Sequence, residues 1–216
     1  MRVAALFFIP FLSACSNSHL SQMLGGHSDN PTFQIIPVMG QSNAVLISPF
    51  LGSAFGNHST LEFVPTAVGG TSIKSWTPQG INYKNAIAKI KSVKDRRGDP
   101  IKYVLFWQGE YEAEGAEGFN DTEAKEWGNE FISMCEALKS DLQSPHLKVI
   151  YVRLNPVPGS VNEKWLSIVY EQQTNAQAAD RIMLSLDDIA HGNDVHYDAA
   201  SYPKIAKRMA DLFYGN

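Results

Sequence analysis

Phe33-Gln34-Ile35-Ile36-Pro37-Val38-Met39-Gly40-Gln41-Ser42-Asn43 begins with a short apolar run and ends in a glycine turn. The run Phe33 to Val38 has the length and β-branched content of a strand. Four more runs share that character: Leu61 to Val64, Ile101 to Trp107, Lys148 to Leu154 and Ile182 to Leu186. Longer amphipathic stretches separate and follow them, at Tyr83 to Val93, Asp121 to Leu142, Val161 to Ala178 and Ala199 to Phe213. In the first, Ala86, Ile87, Ile90 and Val93 share one helical face; in the last, Ile205, Met209, Leu212 and Phe213 do so. A short apolar run followed by an amphipathic helix, repeated along a chain, is the pattern of βα units on a mostly parallel, here five-stranded, sheet. Asn155-Pro156-Val157-Pro158-Gly159 is a turn within such a unit, because strand-like sequence precedes it and helix-like sequence follows.

The 216 residues are 44% hydrophobic and 19% charged, which suits one sizeable core and one domain. A net charge of −4 leaves no basic footprint for a phosphate backbone. The local positive cluster Lys94-Asp95-Arg96-Arg97 reads as a solvated loop, so nucleic acid is not an expected partner. Of the two cysteines, Cys135 falls in a helical stretch and reads as a small buried apolar side chain rather than a nucleophile. No C-x-x-C or His-x-x-x-His spacing occurs, and no metal or other cofactor is implied.

The N-terminus has a different character. Arg2 precedes the apolar run Val3 to Leu12, of the length of a secretory signal core, and Leu12-Ser13-Ala14-Cys15 resembles the lipobox of bacterial lipoproteins. That resemblance implies cleavage after residue 14, lipid on Cys15, a flexible tether over residues 15–31 and a folded domain over 32–216. The protein would then be secreted across the inner membrane and held at a membrane, periplasmic or cell-surface, by its lipid. A first strand and a cleaved signal without lipid are the alternatives.

Ligands of open α/β sheets gather where strands end, so the segments after the first three strands carry the chemistry. They read Gly40-Gln41-Ser42-Asn43, Val68-Gly69-Gly70-Thr71-Ser72 leading to Trp76, and Trp107-Gln108-Gly109-Glu110. A serine on a tight turn at a helix start can project its hydroxyl while its own N–H faces a developing oxyanion, although serine there also serves as an ordinary N-cap. Gly-Gly equally marks a positive-φ turn, and a buried Gln108 equally satisfies loop backbone groups. A serine nucleophile needs a base, and His196, ahead of the last helix, is the best placed of six histidines. His191, His58 and His146 read as exposed loop residues, His191 being the one with a place at the pocket as its alternative, and His19 and His27 belong to the tether.

Together with Asp194-Val195-His196, these three segments resemble the SGNH hydrolase superfamily, in its branch of sialate O-acetylesterases and acetylxylan esterases. The blocks run in family order across residues 33 to 213. The resemblance implies a flavodoxin-like three-layer α/β/α fold, Ser42 as nucleophile and His196 as base. It also implies an oxyanion hole from the N–H groups of Ser42 and Gly69 and the amide of Gln108. The family places its acid three residues before the histidine, where this chain has Asn193; Asp194 is the acid expected instead, with Asp187 and Asp188 as alternatives and a Ser–His dyad as the remaining reading. Gln41, Gly70, Trp76 and Glu110 are expected at the substrate, Glu110 serving first as an acceptor for loop N–H groups. Trp76, Trp107 and Tyr111 would form a sugar-stacking wall, with core packing as the alternative for each.

The activity so implied is removal of acetyl groups from a sugar or polysaccharide through an acetyl-enzyme. Acetyl transfer to or from peptidoglycan or another envelope glycan is one alternative. A non-catalytic surface lipoprotein that binds glycan on a retired hydrolase fold is another.

Overall fold

The strands are β1 (Gln34–Gly40), β2 (Leu61–Pro65), β3 (Tyr103–Trp107), β4 (Lys148–Val152) and β5 (Arg181–Leu184). They form one sheet in the order β2-β1-β3-β4-β5, every neighbouring pair parallel. The computed structural model describes residues 33–97, 101–114, 121–155, 162–189, 191–192 and 194–215. The expected signal, Cys15, the tether and Asn193 lie outside the described residues, as does most of the turn after Asn155.

Side-chain alternation along the strands sorts the core into two faces. Ile35, Met39, Val104, Phe106, Val149 and Tyr151 point to one side, where they pack with α2 (Ile81–Arg97), α4 (Asp121–Asp141) and α5 (Glu163–Asn175). Ile36, Val38, Leu105, Trp107, Ile150 and Val152 point to the other, against α1 (Ser42–Ala54) and α6 (Tyr202–Gly215). The result is the flavodoxin-like three-layer sandwich. Its helices bury the stripes their spacing requires. On α4 these are Trp127, Phe131, Met134, Cys135 and Leu138; on α6 they are Tyr202, Ile205, Ala206, Met209 and Ala210. Cys135 is fully buried, and desolvation pushes its thiol up to about 12, which makes it inert as a nucleophile.

Three local readings need correction. Lys94 to Arg97 belong to the last turn of α2, not to a loop. Glu110–Glu114 form a short helix, α3, which was not among the helices read from the sequence. The helix α1 carries no amphipathic signal: Ala44, Val45, Leu46 and Ile47 are apolar in succession, and Pro49 sits inside it. It is a helix because Ala44, Ile47 and Leu51 bury against the sheet while Val45 and Leu46 remain exposed, a distinction that only packing draws.

Because all strands run one way, the segments that follow them collect at a single end of the sheet. The chain leaves β1 for β2 on one side and returns to β3 on the other, so the ends of β1 and β3 flank a topological switch point, the usual place for a ligand in such sheets.

Candidate active site

β1 ends at Gly40, whose φ of +117° suits glycine alone, and a Cβ there would lie 2.0 Å from the Trp107 carbonyl oxygen. The turn is therefore pressed against β3, and the Gln41 N–H donates to that same carbonyl at 2.8 Å. Gln41 is the N-cap of α1, without a side-chain cap bond, and Ser42 is the first helical residue. The opening N–H groups of a helix have no intrahelical acceptor, so the positive end of α1 lies at the Ser42 hydroxyl.

His196 arrives from the segment after β5, with Nε2 2.9 Å from Ser42 Oγ. Its Nδ1 lies 3.2 Å from Asp194 Oδ1, and the same oxygen accepts the His196 backbone N–H at 2.7 Å. That backbone N–H chiefly, and the imidazole after it, hold the Asp194 carboxyl below the usual carboxylate range. The pair is open to water: the side chains of His196 and Asp194 are 37% and 67% exposed. Both alternative acids are engaged elsewhere, Asp187 with Arg153 and Ser185, and Asp188 with Arg208 in a two-pronged bond of 2.6 and 2.7 Å. His191 is half-buried, stacked on Tyr197 with its Nε2 2.8 Å from the Asn155 carbonyl. Burial lowers its pKa.

Behind the Ser–His pair stands a buried polar scaffold. Glu110, 2% exposed, accepts the Gln41 side-chain amide at 2.5 Å on one oxygen and that of Asn43 at 2.7 Å on the other. Asn43 also donates to the Val195 carbonyl at 3.0 Å and accepts from the Tyr202 hydroxyl at 2.7 Å. The residue after Ser42 is thus bonded to the residue before His196, which fixes Ser42 and His196 relative to each other. Burial raises the Glu110 pKa, and the amide donors oppose the shift. Gln41 and Glu110 were expected to meet the substrate; both are buried and occupied by each other. Glu110 is an acceptor, as expected, for a backbone N–H, its own, and also for the side-chain amides of Gln41 and Asn43.

The second segment runs alongside β1, with Thr66 N–H on the Val38 carbonyl (2.8 Å) and Val68 N–H on that of Gly40 (2.9 Å). This brings Gly69 to Ser42: a Cβ on Gly69 would stand 3.8 Å from the serine Cβ. Gly69 and Gly70 are exposed, and Gly70 takes φ +66°. Trp76 belongs to the core, fully buried and edge-on to Phe106, with its indole N–H on the Thr71 hydroxyl at 3.1 Å. Trp107 is buried among Tyr197 and Tyr202. The expected sugar-stacking wall therefore reduces to the half-buried Tyr111.

Gln108 also departs from expectation. It is 1% exposed, and its amide nitrogen donates to the Thr71 carbonyl at 3.2 Å and to the Glu112 carboxylate. Its oxygen accepts the Trp127 indole N–H at 2.6 Å. With both amide hydrogens so committed, Gln108 does not offer the oxyanion donor assigned to it. Asn43, Glu112 and Tyr202 are the structural members that sequence reasoning left without a role. Their signal was weak, since an acidic pair two residues apart and a tyrosine at a helix start are common.

A Ser–His–Asp array at the switch point of a five-stranded, flavodoxin-like sheet defines a protein of the SGNH hydrolase class. Within it, the chain belongs to the family of carbohydrate esterases described as sialic acid-specific acetylesterases, whose model matches residues 51–215. That match begins after Ser42, so the first segment is joined to it by geometry. A probable carbohydrate esterase of Arabidopsis thaliana is 28% identical over 159 residues, 73% of this chain. The aligned region spans 57% of that relative's length. Among solved structures, a protein from Arabidopsis thaliana superposes with a TM-score of 0.71 at 16% identity, over 86% of this chain and 99% of that one. NanS gives 0.66 at 11% identity, over 86% and 98%. A carbohydrate acetylesterase from Xanthomonas citri gives 0.56 at 17% identity, over 80% and 40%. These likenesses are of fold.

Proposed function

We propose that the protein is a carbohydrate O-acetylesterase that works through an acetyl-enzyme on Ser42. The observation that carries the reading is the 2.9 Å approach of His196 Nε2 to Ser42 Oγ at the positive end of α1. Neutral His196 takes the serine proton as Oγ attacks the acetyl carbonyl, and Asp194 holds the ring and offsets its developing charge. The N–H groups of Ser42 and Gly69 face the oxyanion; donors of this kind each contribute about 3 kcal/mol. Protonated His196 then gives its proton to the departing sugar hydroxyl. Water, deprotonated by the same ring, releases acetate and restores Ser42. Family membership supports an acetylated carbohydrate as substrate.

The test is acetate release from a panel of acetylated glycans, sialic acid, xylan and peptidoglycan among them, by wild type and Ser42→Ala. The variant is expected to lose about 10⁴-fold or more. Retention of more than about a tenth of the rate, a barrier change under ~1.4 kcal/mol, removes Ser42 as nucleophile.

The reading extends to the N-terminus, where lipid on Cys15 would hold the enzyme at a membrane beside an envelope or extracellular glycan. Wild type is expected in the detergent phase of a partitioning assay and Cys15→Ser in the aqueous phase. Aqueous partitioning of wild type refutes the anchor.

A further inference from the structure

Glu112 lies outside the Ser–His–Asp array and has no part in the chemistry above, yet it is 0% exposed and both of its oxygens are used. Oε1 accepts the backbone N–H of Ile73 at 2.5 Å, and Oε2 accepts the side-chain amide of Gln108. Gln108 passes the restraint to the Thr71 carbonyl at 3.2 Å and is itself braced by the Trp127 indole. Thr71 in turn donates to the Val68 carbonyl at 2.8 Å and accepts from Trp76 at 3.1 Å. The bonds of Glu112 to Ile73 and of Gln108 to Thr71 converge on the segment Val68 to Ile73, which carries Gly69 past Ser42. Val68 is anchored to β1 by its N–H on the Gly40 carbonyl and Ile73 is buried in the core; Gly69 and Gly70 between them are exposed and have no side chains of their own to pack, so these bonds set the course of the chain between the two anchors.

We propose that Glu112 is a positioning residue which, through Ile73 and Gln108, holds the Val68–Ile73 segment so that the Gly69 N–H meets the oxyanion formed at Ser42. The proposal rests on the reading of Ser42 as nucleophile.

The groups that Glu112 meets, the Ile73 N–H, the Gln108 amide and its own backbone N–H, are all donors, a set that suits the carboxylate. A protonated Glu112, or a glutamine, turns one donor against another N–H and releases one link. The two forms interconvert in an accessible range, because burial pushes the carboxyl up to about 7 against the opposing hydrogen bonds. The turn at Ile73–Trp76, the end of β3 and α4 present Ile73, Gln108 and Trp127 to this network, all uncharged, and Lys74 in that turn is exposed. Glu110 on the same helix, also a carboxylate, raises the pKa further.

The experiment measures kcat and KM of wild type, Glu112→Gln and Ser42→Ala on p-nitrophenyl acetate between about pH 5.5 and 9, the range that brackets a carboxyl near 7. At the alkaline end Glu112→Gln is expected to lose about 10- to 100-fold in kcat, the size of a weakened oxyanion donor, with KM within about threefold. The ratio of wild type to variant should shrink towards one at the acid end, where wild-type Glu112 is itself protonated. A packing role alone would leave that ratio constant. A constant ratio, or kcat within about twofold of wild type, overturns the proposal while an inactive Ser42→Ala leaves the nucleophile standing. An active Ser42→Ala overturns the nucleophile and this proposal with it. Should Glu112→Gln fail to fold, the wild-type acid limb decides: a fall steeper than one decade per pH unit supports a second titrating group, and a fall of one decade overturns it.

Discussion

Gly40→Ala should disable the enzyme without touching Ser42, His196 or Asp194. The added Cβ would stand 2.0 Å from the Trp107 carbonyl oxygen, 2.7 Å from its carbon and 2.8 Å from the Trp107 nitrogen. All three are backbone atoms of a central strand, so no side-chain rotation relieves the contact. Restoring even a 3 Å separation from the oxygen demands a shift of about 1 Å, and φ +117° adds further strain for alanine. Gln41 N–H donates to the same carbonyl, and Ser42 is the next residue, so the shift passes directly to Ser42. A 1 Å misplacement of a reacting group costs on the order of 100-fold, or ~2.7 kcal/mol of barrier. Overpacking should also remove about 1–3 kcal/mol of stability. The assay is kcat on p-nitrophenyl acetate beside thermal melting. Gly52→Ala is the control, in the helix that Ser42 opens but with its nearest foreign atom, Asn57 Oδ1, at an ordinary 3.4 Å. It should keep its activity and gain about 0.5–1 kcal/mol of stability. If Gly40→Ala keeps more than about a third of wild-type kcat with an unchanged melting temperature, the steric argument for placing Ser42 is wrong.

Asp194→Asn should lower kcat by about 10- to 100-fold, less than for a buried triad acid, because water screens a carboxylate this exposed. A fall below tenfold, with folding checked by melting, would leave Ser42 and His196 as a dyad. Glu112 should also make stability depend on pH. Its folded pKa, about 7, stands above the ordinary 4.5, so the native protein keeps a proton that the unfolded chain has released. Stability from this group is therefore full below about pH 4.5 and falls as pH rises to about 7, by ~3 kcal/mol at 1.4 kcal/mol per unit. Urea melts of Glu112→Gln across that window should lack this component; identical slopes in both proteins would refute it.

The order of elements was legible because short β-branched runs and helical stripes such as Ala86-Ile87-Ile90-Val93 are local patterns that burial on one face or both imposes directly. Ser42, Gly69 and His196 could be named because they stand just after strands or ahead of the last helix, and a parallel sheet sends those segments to one end. The ends of helices moved by a few residues. The last begins at Tyr202 rather than Ala199, and Pro203 is tolerated in its first turn, where a missing N–H leaves no helical bond unmade.

Burial was what the one-dimensional pattern could not assign. Gln41, Trp76, Gln108 and Glu110 have the residue types of a binding site, and in sequence a polar side chain that meets substrate looks like one that meets another buried side chain. Only the tertiary structure turns Glu110 toward Gln41 and Asn43, and Gln108 toward Glu112, Thr71 and Trp127. A helix start at Ser42 was legible, but the extent and buried face of α1 were not, since its apolar residues follow one another and the sheet alone decides which of them it covers. The sequence by itself determined the α/β fold class, the family resemblance and the end of the sheet where Ser42, Gly69 and His196 gather. The pairing of Ser42 with His196 across 154 positions, and the sorting of polar residues into reacting and supporting groups, came from tertiary packing. Those contacts join chain segments whose separation in sequence carries no record of their distance in space.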